Sequence, residues 1–199
     1  MFANRYTCLV DACSLAGVLR RNVLLSLAEA EFFRLRWSQN ILDETEGAIR
    51  NILLKQSGDE EGSTERARKS VMNMDLAFDE AKVQNFEHLI DVLDGTLPDA
   101  DDIHVLAAAI HTQAATIVTE NLKDFPVDTL ANYNIEPKSA DDFIADTIEL
   151  DQGRALTAIS KMRKRFKRPE LTSQALLSQM EKVGLIATAD ALKDFQEHL

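Results

Sequence analysis

The chain has 199 residues, 45% of them hydrophobic and 28% charged, which is typical of a globular protein and excludes a largely disordered chain. Its length suits one domain with a short appendage. Two cysteines, Cys8 and Cys13, exclude a disulfide scaffold, and their spacing is not that of a zinc pair. No stretch approaches the roughly 18 apolar residues of a membrane span. We therefore predict a cytoplasmic protein with no membrane partner.

The net charge of −11 bears on which partners the chain can have. Most nucleic-acid binders present a basic face that neutralises phosphates, so an acidic chain argues against such a role at first sight. Two explanations stay open. Either the carboxylates cover an ordinary solvated surface, or they are concentrated where divalent cations sit, so that the sequence misstates the charge of the metal-loaded protein.

The first half of the chain alternates between apolar runs and helical spacing. Residues 6–11 (YTCLVD) are apolar up to Asp11, which predicts a central strand covered on both faces. The elements predicted after it are a helix at 14–33, a short strand at 34–37, a helix that Ser38 caps, and a polar surface loop at 56–66.

The second half continues the alternation and then becomes helical. The predicted elements are helices at 64–78, 81–93 and 102–111, strands at 115–119 and around Ile135, and only helices from about 140. Strands alternating with helices predict a parallel α/β sheet. We predict an α/β domain over residues 1–140 and a C-terminal helical extension over 141–199.

Acidic residues stand where predicted strands end and predicted helices begin. Ligands of open parallel sheets bind beyond the carboxyl ends of the strands. The first strand ends in Asp11, and the second runs into Glu120, Asn121 and Asp124. Two further acidic groups open helices: Asp99, Asp101 and Asp102 in one, and Asp43, Glu44 and Glu46 in the other.

Converging carboxylates imply a cation. Two of them about 4 Å apart repel by about 4 kcal/mol at an effective dielectric constant of 20. A hard divalent ion relieves this repulsion and suits phosphodiester hydrolysis, because it activates water and neutralises developing charge. The alternative for each acidic residue at a helix start is ordinary capping. Asp11 is less easily explained that way, since burying an unpartnered charge is costly.

Four segments in this order resemble the motifs of PIN-domain ribonucleases. They are VDACSL, SQNILDE, LPDADDIHVLAAAI and IVTENLKDFP, and they cover most of residues 6–126. The whole chain, with its helical tail, resembles VapC-type toxins with a C-terminal extension. The resemblance implies a three-layer α/β/α fold around a short central parallel sheet, and a Mg²⁺- or Mn²⁺-dependent endoribonuclease.

The resemblance also implies roles for particular residues. Asp11 and Asp102 match the family's main metal-binding aspartates, Glu44 matches its helix glutamate, and Asn121 or Asp124 matches the fourth acidic position. The family usually has aspartate where Asn121 stands, so we expect Asp124 to supply the charge. Two residues are expected in the outer shell of the metal, Asp99 and Thr119.

The mechanism that follows needs no covalent nucleophile. Water attacks the phosphodiester in line, with Glu44 or Asp124 as base or water-positioning group. Cys13 and Ser14 lie near Asp11, but no histidine stands at a plausible fixed spacing from them. His104 and His111 are interpreted as packed or surface residues, because an oxygen-rich site does not require them.

One cationic cluster, Lys161–Arg168, interrupts the acidic sequence. It is either a solvated helix end or a phosphate-contacting patch beside the acidic site. The residues predicted to contact RNA are Arg163, Lys164, Arg165, Lys167 and Arg168.

The resemblance further implies partners. The chain is expected to be the toxin of a type II toxin–antitoxin pair, with an RNA substrate, a small cognate antitoxin that occludes the acidic cleft, and a possible homodimer. Two alternatives stay open: a PIN-fold RNA or DNA nuclease with a housekeeping role, and a catalytically weak PIN binding module, which the amide at Asn121 would allow.

Overall fold

The structure is a computed structural model and describes residues 6–167 and 170–199. Its centre is a four-stranded parallel sheet in the order β2-β1-β3-β4. The strands are β1 (Thr7–Val10), β2 (Arg34–Arg36), β3 (Thr116–Val118) and β4 (Glu136–Lys138). Successive side chains of a strand point to opposite faces, and all four in β1 are buried. Helices therefore cover both faces of the sheet, as the sequence predicted.

The helices of the first part follow β1 and β2. They are α1 (Ala12–Ala16), α2 (Val18–Glu29), α3 (Gln39–Ser57) and α4 (Glu60–Ala77). The single helix predicted at 14–33 is wrong, because Gly17 has an extended backbone that separates α1 from α2, and α2 ends at Glu29. Glu31 then adopts a positive φ, which turns the chain into β2.

The loop predicted at 56–66 is also wrong, since only two residues separate α3 from α4. Gly58 ends α3 in the left-handed conformation, and Asp59 caps α4 through the backbone N–H of Gly62. The polar side chains there lie on exposed faces of two helices rather than in a loop.

The segment after α4 differs from the predicted helix at 81–93. It contains two short 3₁₀ turns, Asp79–Ala81 and Glu87–Leu89. Trp37 and Lys82 form a parallel bridge that extends the β2 edge, so backbone pairing replaces helical pairing here. The described part of the chain holds no helix that is both long enough and apolar enough to cross a membrane.

The last elements place the extension against the sheet. They are α5 (Ile103–His111), α6 (Val127–Ala131), α7 (Ala140–Leu150), α8 (Gln152–Arg163), α9 (Ser173–Lys182) and α10 (Ile186–Lys193). Helices α7 and α8 pack against α2, and α10 packs against α7. Their buried side chains, including Phe143, Ile144 and Ile159, belong to the same apolar core as β1. The extension is therefore joined to the sheet through that core.

Candidate metal centre

The site forms where β1 and β3 end side by side. Asp11 follows β1, and Thr119 follows β3, its hydrogen-bonded neighbour. The Thr119 hydroxyl donates to Asp11 Oδ2 over 2.8 Å, and the Cys13 thiol donates to the same oxygen over 2.9 Å. The backbone N–H of Ala12 donates to Asp11 Oδ1 over 2.6 Å. Asp11 is thus a buried carboxylate held in one orientation by three donors.

Three more aspartates meet beside this strand edge. Asp99 caps the 3₁₀ turn Ala100–Asp102, and Asp124 closes the 3₁₀ turn Leu122–Asp124 that follows β3. Asp99, Asp102 and Asp124 each offer a carboxylate oxygen that lies within 4.8 Å of the others. Two short turns from distant parts of the sequence therefore bring carboxylates to one place.

Asp102 lies in surroundings that disfavour its charged form. Burial, followed by the nearby charges of Asp11, Asp99 and Asp124, raises the pKa of Asp102 to about 6. Its Oδ2 is buried and has no hydrogen-bond partner among the described residues. An unpartnered buried oxygen within an all-oxygen, acidic donor set fits a hard divalent cation such as Mg²⁺ or Mn²⁺.

Glu44 approaches the site from α3 and is held by a histidine. Its Oε1 lies 2.9 Å from Nε2 of His104, on the second residue of α5. The His104 side chain is only 11% exposed, and its Nδ1 is buried without a partner among the described residues. The aspartates that lie within 4.8 Å of one another include neither Glu44 nor Asp11, although the charge of Asp11 acts on Asp102. Glu44 is thus placed near the group through the helix that Asp102 begins.

The pairing of His104 with Glu44 was missed in the sequence. The interpretation of His104 as a packed or surface residue rested on its helix alone, whereas its partner lies 60 positions away. The available signal was its position two residues after Asp102, which places it in the first turn of the same helix. His111, by contrast, makes an edge-to-face ring contact with His88 away from these carboxylates.

Asn121 and Asp124 occupy the two ends of one turn. The Asn121 N–H donates to the Thr119 hydroxyl over 3.1 Å, and its carbonyl accepts from the Asp124 N–H over 3.1 Å. The Asp124 side chain meets those of Asp99 and Asp102, and it also lies 3.6 Å from the Lys123 ammonium. Which of the two fills the family's fourth position stays a prediction.

Cys13 contributes a protonated thiol rather than a nucleophile. Burial, together with the charge of Asp11, raises the pKa of Cys13 to about 11. The thiol donates to Asp11 and accepts from the Glu120 N–H. A thiol with this pKa is almost wholly protonated near neutral pH, so its position favours support of Asp11 over attack on a substrate.

The basic cluster lies away from these carboxylates. Lys161 and Arg165 both pair with Glu29, the last residue of α2, whereas Arg20 near the start of α2 pairs with Glu120. Arg20 and Glu29 are nine residues apart on this helix, a distance of about 13 Å along its axis. The structure therefore does not place the cluster beside the acidic site, because α8 packs along α2 with its end at Glu29.

The five residues predicted to contact RNA have different surroundings. Arg163 donates to the carbonyls of Leu171 and Leu199 within the extension, so both of its terminal nitrogens already have hydrogen-bond partners. Lys164 and Lys167 are exposed, Arg165 is paired with Glu29, and Arg168 lies outside the described residues. Contact of this cluster with RNA stays a prediction.

The sequence matches two family models in succession. Residues 7–123 match the model described as "PIN domain", and residues 140–194 match the model described as "VapC50 C-terminal domain". A curated protein of Mycobacterium tuberculosis (strain ATCC 25618 / H37Rv), named "Putative ribonuclease VapC50", is 39% identical over 79 residues. Those residues are 40% of this chain and 47% of that protein, so the match spans about half of the relative's length. No solved structure matches the chain.

Proposed function

The chain belongs to the PIN-domain family, and from this premise we propose that it is a metal-dependent endoribonuclease that hydrolyses RNA phosphodiester bonds. The observation that carries the proposal is Asp102, whose buried Oδ2 has no hydrogen-bond partner among the described residues, while burial and then three other aspartates raise its pKa. A protein keeps such an arrangement at a cost in stability, which a bound cation would offset. The relative named as a ribonuclease supports RNA as the substrate.

The residues proposed to hold Mg²⁺ or Mn²⁺ are Asp11, Asp102 and Asp124, with Glu44 near them and Asp99 in the outer shell. When bound, such an ion supplies neutralisation of the charge that builds on the phosphodiester and lowers the pKa of water. Thr119 and Cys13 fix the orientation of Asp11 through their bonds to Oδ2. A carboxylate that cannot rotate would offer its remaining Oδ1 lone pair to a cation without a further entropic cost.

Glu44 and Asp124 are the carboxylates we assign to the attacking water. Glu44 is 48% exposed and is oriented through Oε1 by His104, so its remaining oxygen can accept a proton from a water that faces the substrate. Asp124 lies beside Asp102, on the turn after β3. The attack forms a bond from water oxygen to phosphorus as the bond to the leaving ribose oxygen breaks.

We also assign the chain as the toxin of a type II toxin–antitoxin system. The support is the match of residues 140–194 to a family model named after a VapC protein. A small cognate antitoxin would cover the acidic cleft, and a homodimer is possible for this fold. We retain the division of the chain into a nuclease domain and a helical extension near residue 140, where α7 begins.

A second candidate, a catalytically weak binding module, rests on one observation. Asn121 stands where the family usually has an aspartate, and an amide cannot contribute charge to a cation. A housekeeping nuclease would share the chemistry of the toxin and differ only in its neighbours in the genome. A short reading frame beside the gene, encoding a protein that neutralises this one, would favour the toxin.

The test compares RNA cleavage by the wild-type chain, Asp11→Asn and Asp101→Asn. Asp101 is exposed and lies on the same turn as Asp102, but it is not one of the three aspartates that meet there. We expect Mg²⁺- or Mn²⁺-dependent cleavage that EDTA abolishes, that Asp11→Asn reduces by at least about 100-fold, and that Asp101→Asn leaves near wild type. Absence of cleavage with every RNA and metal tried, together with normal growth of cells that express the protein, would refute the enzyme and leave the binding module.

A further inference from the structure

Arg20 lies at a junction between three parts of the molecule. Its Nη2 is 3.2 Å from Glu120 Oε2 and donates over 3.2 Å to the carbonyl of Val183, which follows α9. Its Nη1 reaches the carbonyl of Cys13 over 3.5 Å. The Arg20 side chain is 16% exposed. One guanidinium thus joins the start of α2, the residue after Thr119 and the turn between the last two helices of the extension.

Glu120 makes the complementary connection with its other oxygen. Its Oε1 accepts from the backbone N–H of Ala140 over 3.0 Å, at the first residue of α7. A carboxylate at the beginning of an eleven-residue helix is favoured both as a hydrogen-bond acceptor and by the helix dipole. Ser14 of α1 lies 3.4 Å from the same oxygen. Glu120 therefore couples the end of β3 to the start of the extension.

Two helices of the extension, α7 and α10, are hydrogen-bonded to each other next to this junction. Asp141, the second residue of α7, accepts from the backbone N–H groups of Ala187 and Thr188 over 2.8 Å each. These bonds hold the start of α10 against the start of α7. Because Val183 lies just before α10, its carbonyl has a defined position from which to orient Arg20.

Glu120 connects this junction to the candidate metal centre, because it lies in the chain between residues of that centre. Thr119, on one side of it, donates to Asp11; Asn121 and Asp124, on the other side, form the turn that carries the cluster's third carboxylate. We infer that Arg20 and Glu120 are positioning residues through which the C-terminal extension fixes the turn 119–124, and so sets the affinity of the site for a divalent cation. The inference rests on the proposed function only in taking these carboxylates as the metal ligands.

The test measures Mn²⁺ binding by the full chain in the absence of RNA, using the electron paramagnetic resonance signal of free Mn²⁺. We expect Arg20→Ala to weaken Mn²⁺ binding by about 10-fold or more, the range seen when groups that orient metal ligands are removed. Glu120→Gln keeps an acceptor for Ala140 but loses the charge that pairs with Arg20, and a similar loss is expected. Because both changes break the same link, the double variant should bind Mn²⁺ about as weakly as Arg20→Ala alone.

Arg154→Ala is the matched control. Arg154 also joins the extension to the nuclease part, since its guanidinium lies 4.1 Å from the centre of the Phe32 ring, but Phe32 precedes β2 at the other end of the sheet. We expect this variant to lower thermal stability and leave Mn²⁺ affinity unchanged. Equal Mn²⁺ affinity of wild type, Arg20→Ala and Glu120→Gln would overturn the inference, as would an equal loss in Arg154→Ala.

Amide hydrogen exchange of the turn 119–124 gives a second readout that needs neither metal nor RNA. Exchange there should be faster in Glu120→Gln than in wild type and unchanged in Arg154→Ala; equal protection in all three would overturn the inference. A wild-type chain that binds Mn²⁺ without cleaving RNA would refute the proposed function, while the comparison among variants would still decide the role of Arg20 and Glu120.

Discussion

The charge on Asp102 should destabilise the metal-free protein, so that Asp102→Asn makes it more stable. The pKa of Asp102 is raised from its ordinary value of 3.8 to about 6, first by burial and then by Asp11, Asp99 and Asp124. A raised pKa means that the folded protein disfavours the charged form. Asparagine removes that charge while keeping the shape, and Oδ2 has no hydrogen-bond partner among the described residues to lose.

The magnitude follows from the size of that change. One pKa unit corresponds to about 1.4 kcal/mol, so a rise of about two units gives an upper bound near 3 kcal/mol. Asp102 is only partly buried, and solvent screening reduces this to about 1–1.5 kcal/mol. For a chain of this length that difference raises the melting temperature by roughly 3–5 °C.

The pH dependence has a definite sign. Between pH 3.8 and about 6 the folded wild type retains a proton on Asp102 that the unfolded chain has lost. Its stability relative to Asp102→Asn is therefore highest below pH 3.8 and falls as the pH rises through this window. Above about pH 6 the full penalty is present, and the variant should show its whole advantage.

Thermal unfolding in EDTA at pH 7.5 and at pH 4.5 measures this difference, with Asp101→Asn as the exposed control. We expect the advantage of Asp102→Asn to shrink at pH 4.5 and the control to stay within about 0.5 kcal/mol of wild type. Saturating Mg²⁺ should reverse the order, because ligand at 100 times its Kd adds about 2.7 kcal/mol to a protein that binds it. Equal or lower stability of Asp102→Asn in EDTA at pH 7.5 would refute the reasoning.

Three smaller predictions concern the surroundings of the site. Asn121→Asp should strengthen Mn²⁺ binding and Asp124→Asn weaken it by about 10-fold or more, measured by titration; the opposite pattern would exclude Asp124 from the fourth acidic position. His104→Ala should lower kcat by about 10-fold with little change in KM for RNA, because it frees Glu44 without removing it; an unchanged kcat would deny His104 a positioning role. Gly58→Ala should destabilise the fold by about 1 kcal/mol, measured by urea unfolding, because φ at this position is 69°. The added Cβ would meet no neighbour, so the backbone conformation is the whole cause, and cleavage should be unchanged.

The sheet and the family were predictable from the sequence because their signals are local. A buried strand that ends in Asp11, and a second that ends at Thr119, can each be identified from five or six consecutive residues. The predicted strands at 34–37, at 115–119 and around Ile135 are confirmed within one or two residues, and the PIN-domain family is confirmed over residues 7–123. Parallel packing then dictates that the strand-end residues share an edge.

The features that sequence reasoning missed depend on pairs far apart in the chain. Glu44 and His104 are 60 residues apart, and the link from Glu120 to Ala140 depends on where a new helix starts. No periodicity encodes either contact. The helix predicted at 81–93 failed for a similar reason, since Trp37 draws the backbone at Lys82 into sheet pairing and tertiary contact overrides local propensity.

The acidic residues of the chain fall into two groups, those of the candidate site and those of the solvated surface. The relative size of the two groups bears on how RNA should bind. Only five carboxylates, those of Asp11, Glu44, Asp99, Asp102 and Asp124, are candidates for the site, out of 33 acidic residues. A cation therefore offsets a small part of the net charge, and the remainder belongs largely to solvated surface. Close to the cluster, Lys123 is an exposed cation, with 83% of its side chain accessible.

A short RNA at this site should consequently bind with a shallow dependence on salt. Each phosphate contact contributes about −0.7 to the slope of log K against log salt for single strands, so we expect a slope near −1 for an RNA of a few nucleotides. A longer RNA that reaches the far end of α2 should show a steeper slope, and replacing Lys164 and Lys167 by glutamine should reduce it by about 1 or more. The measurement uses Asp11→Asn so that the RNA stays intact. A long-RNA slope that the two substitutions leave unchanged would remove the basic cluster from the RNA path, and a steep slope for the short RNA would show that phosphates are held by cations other than Lys123.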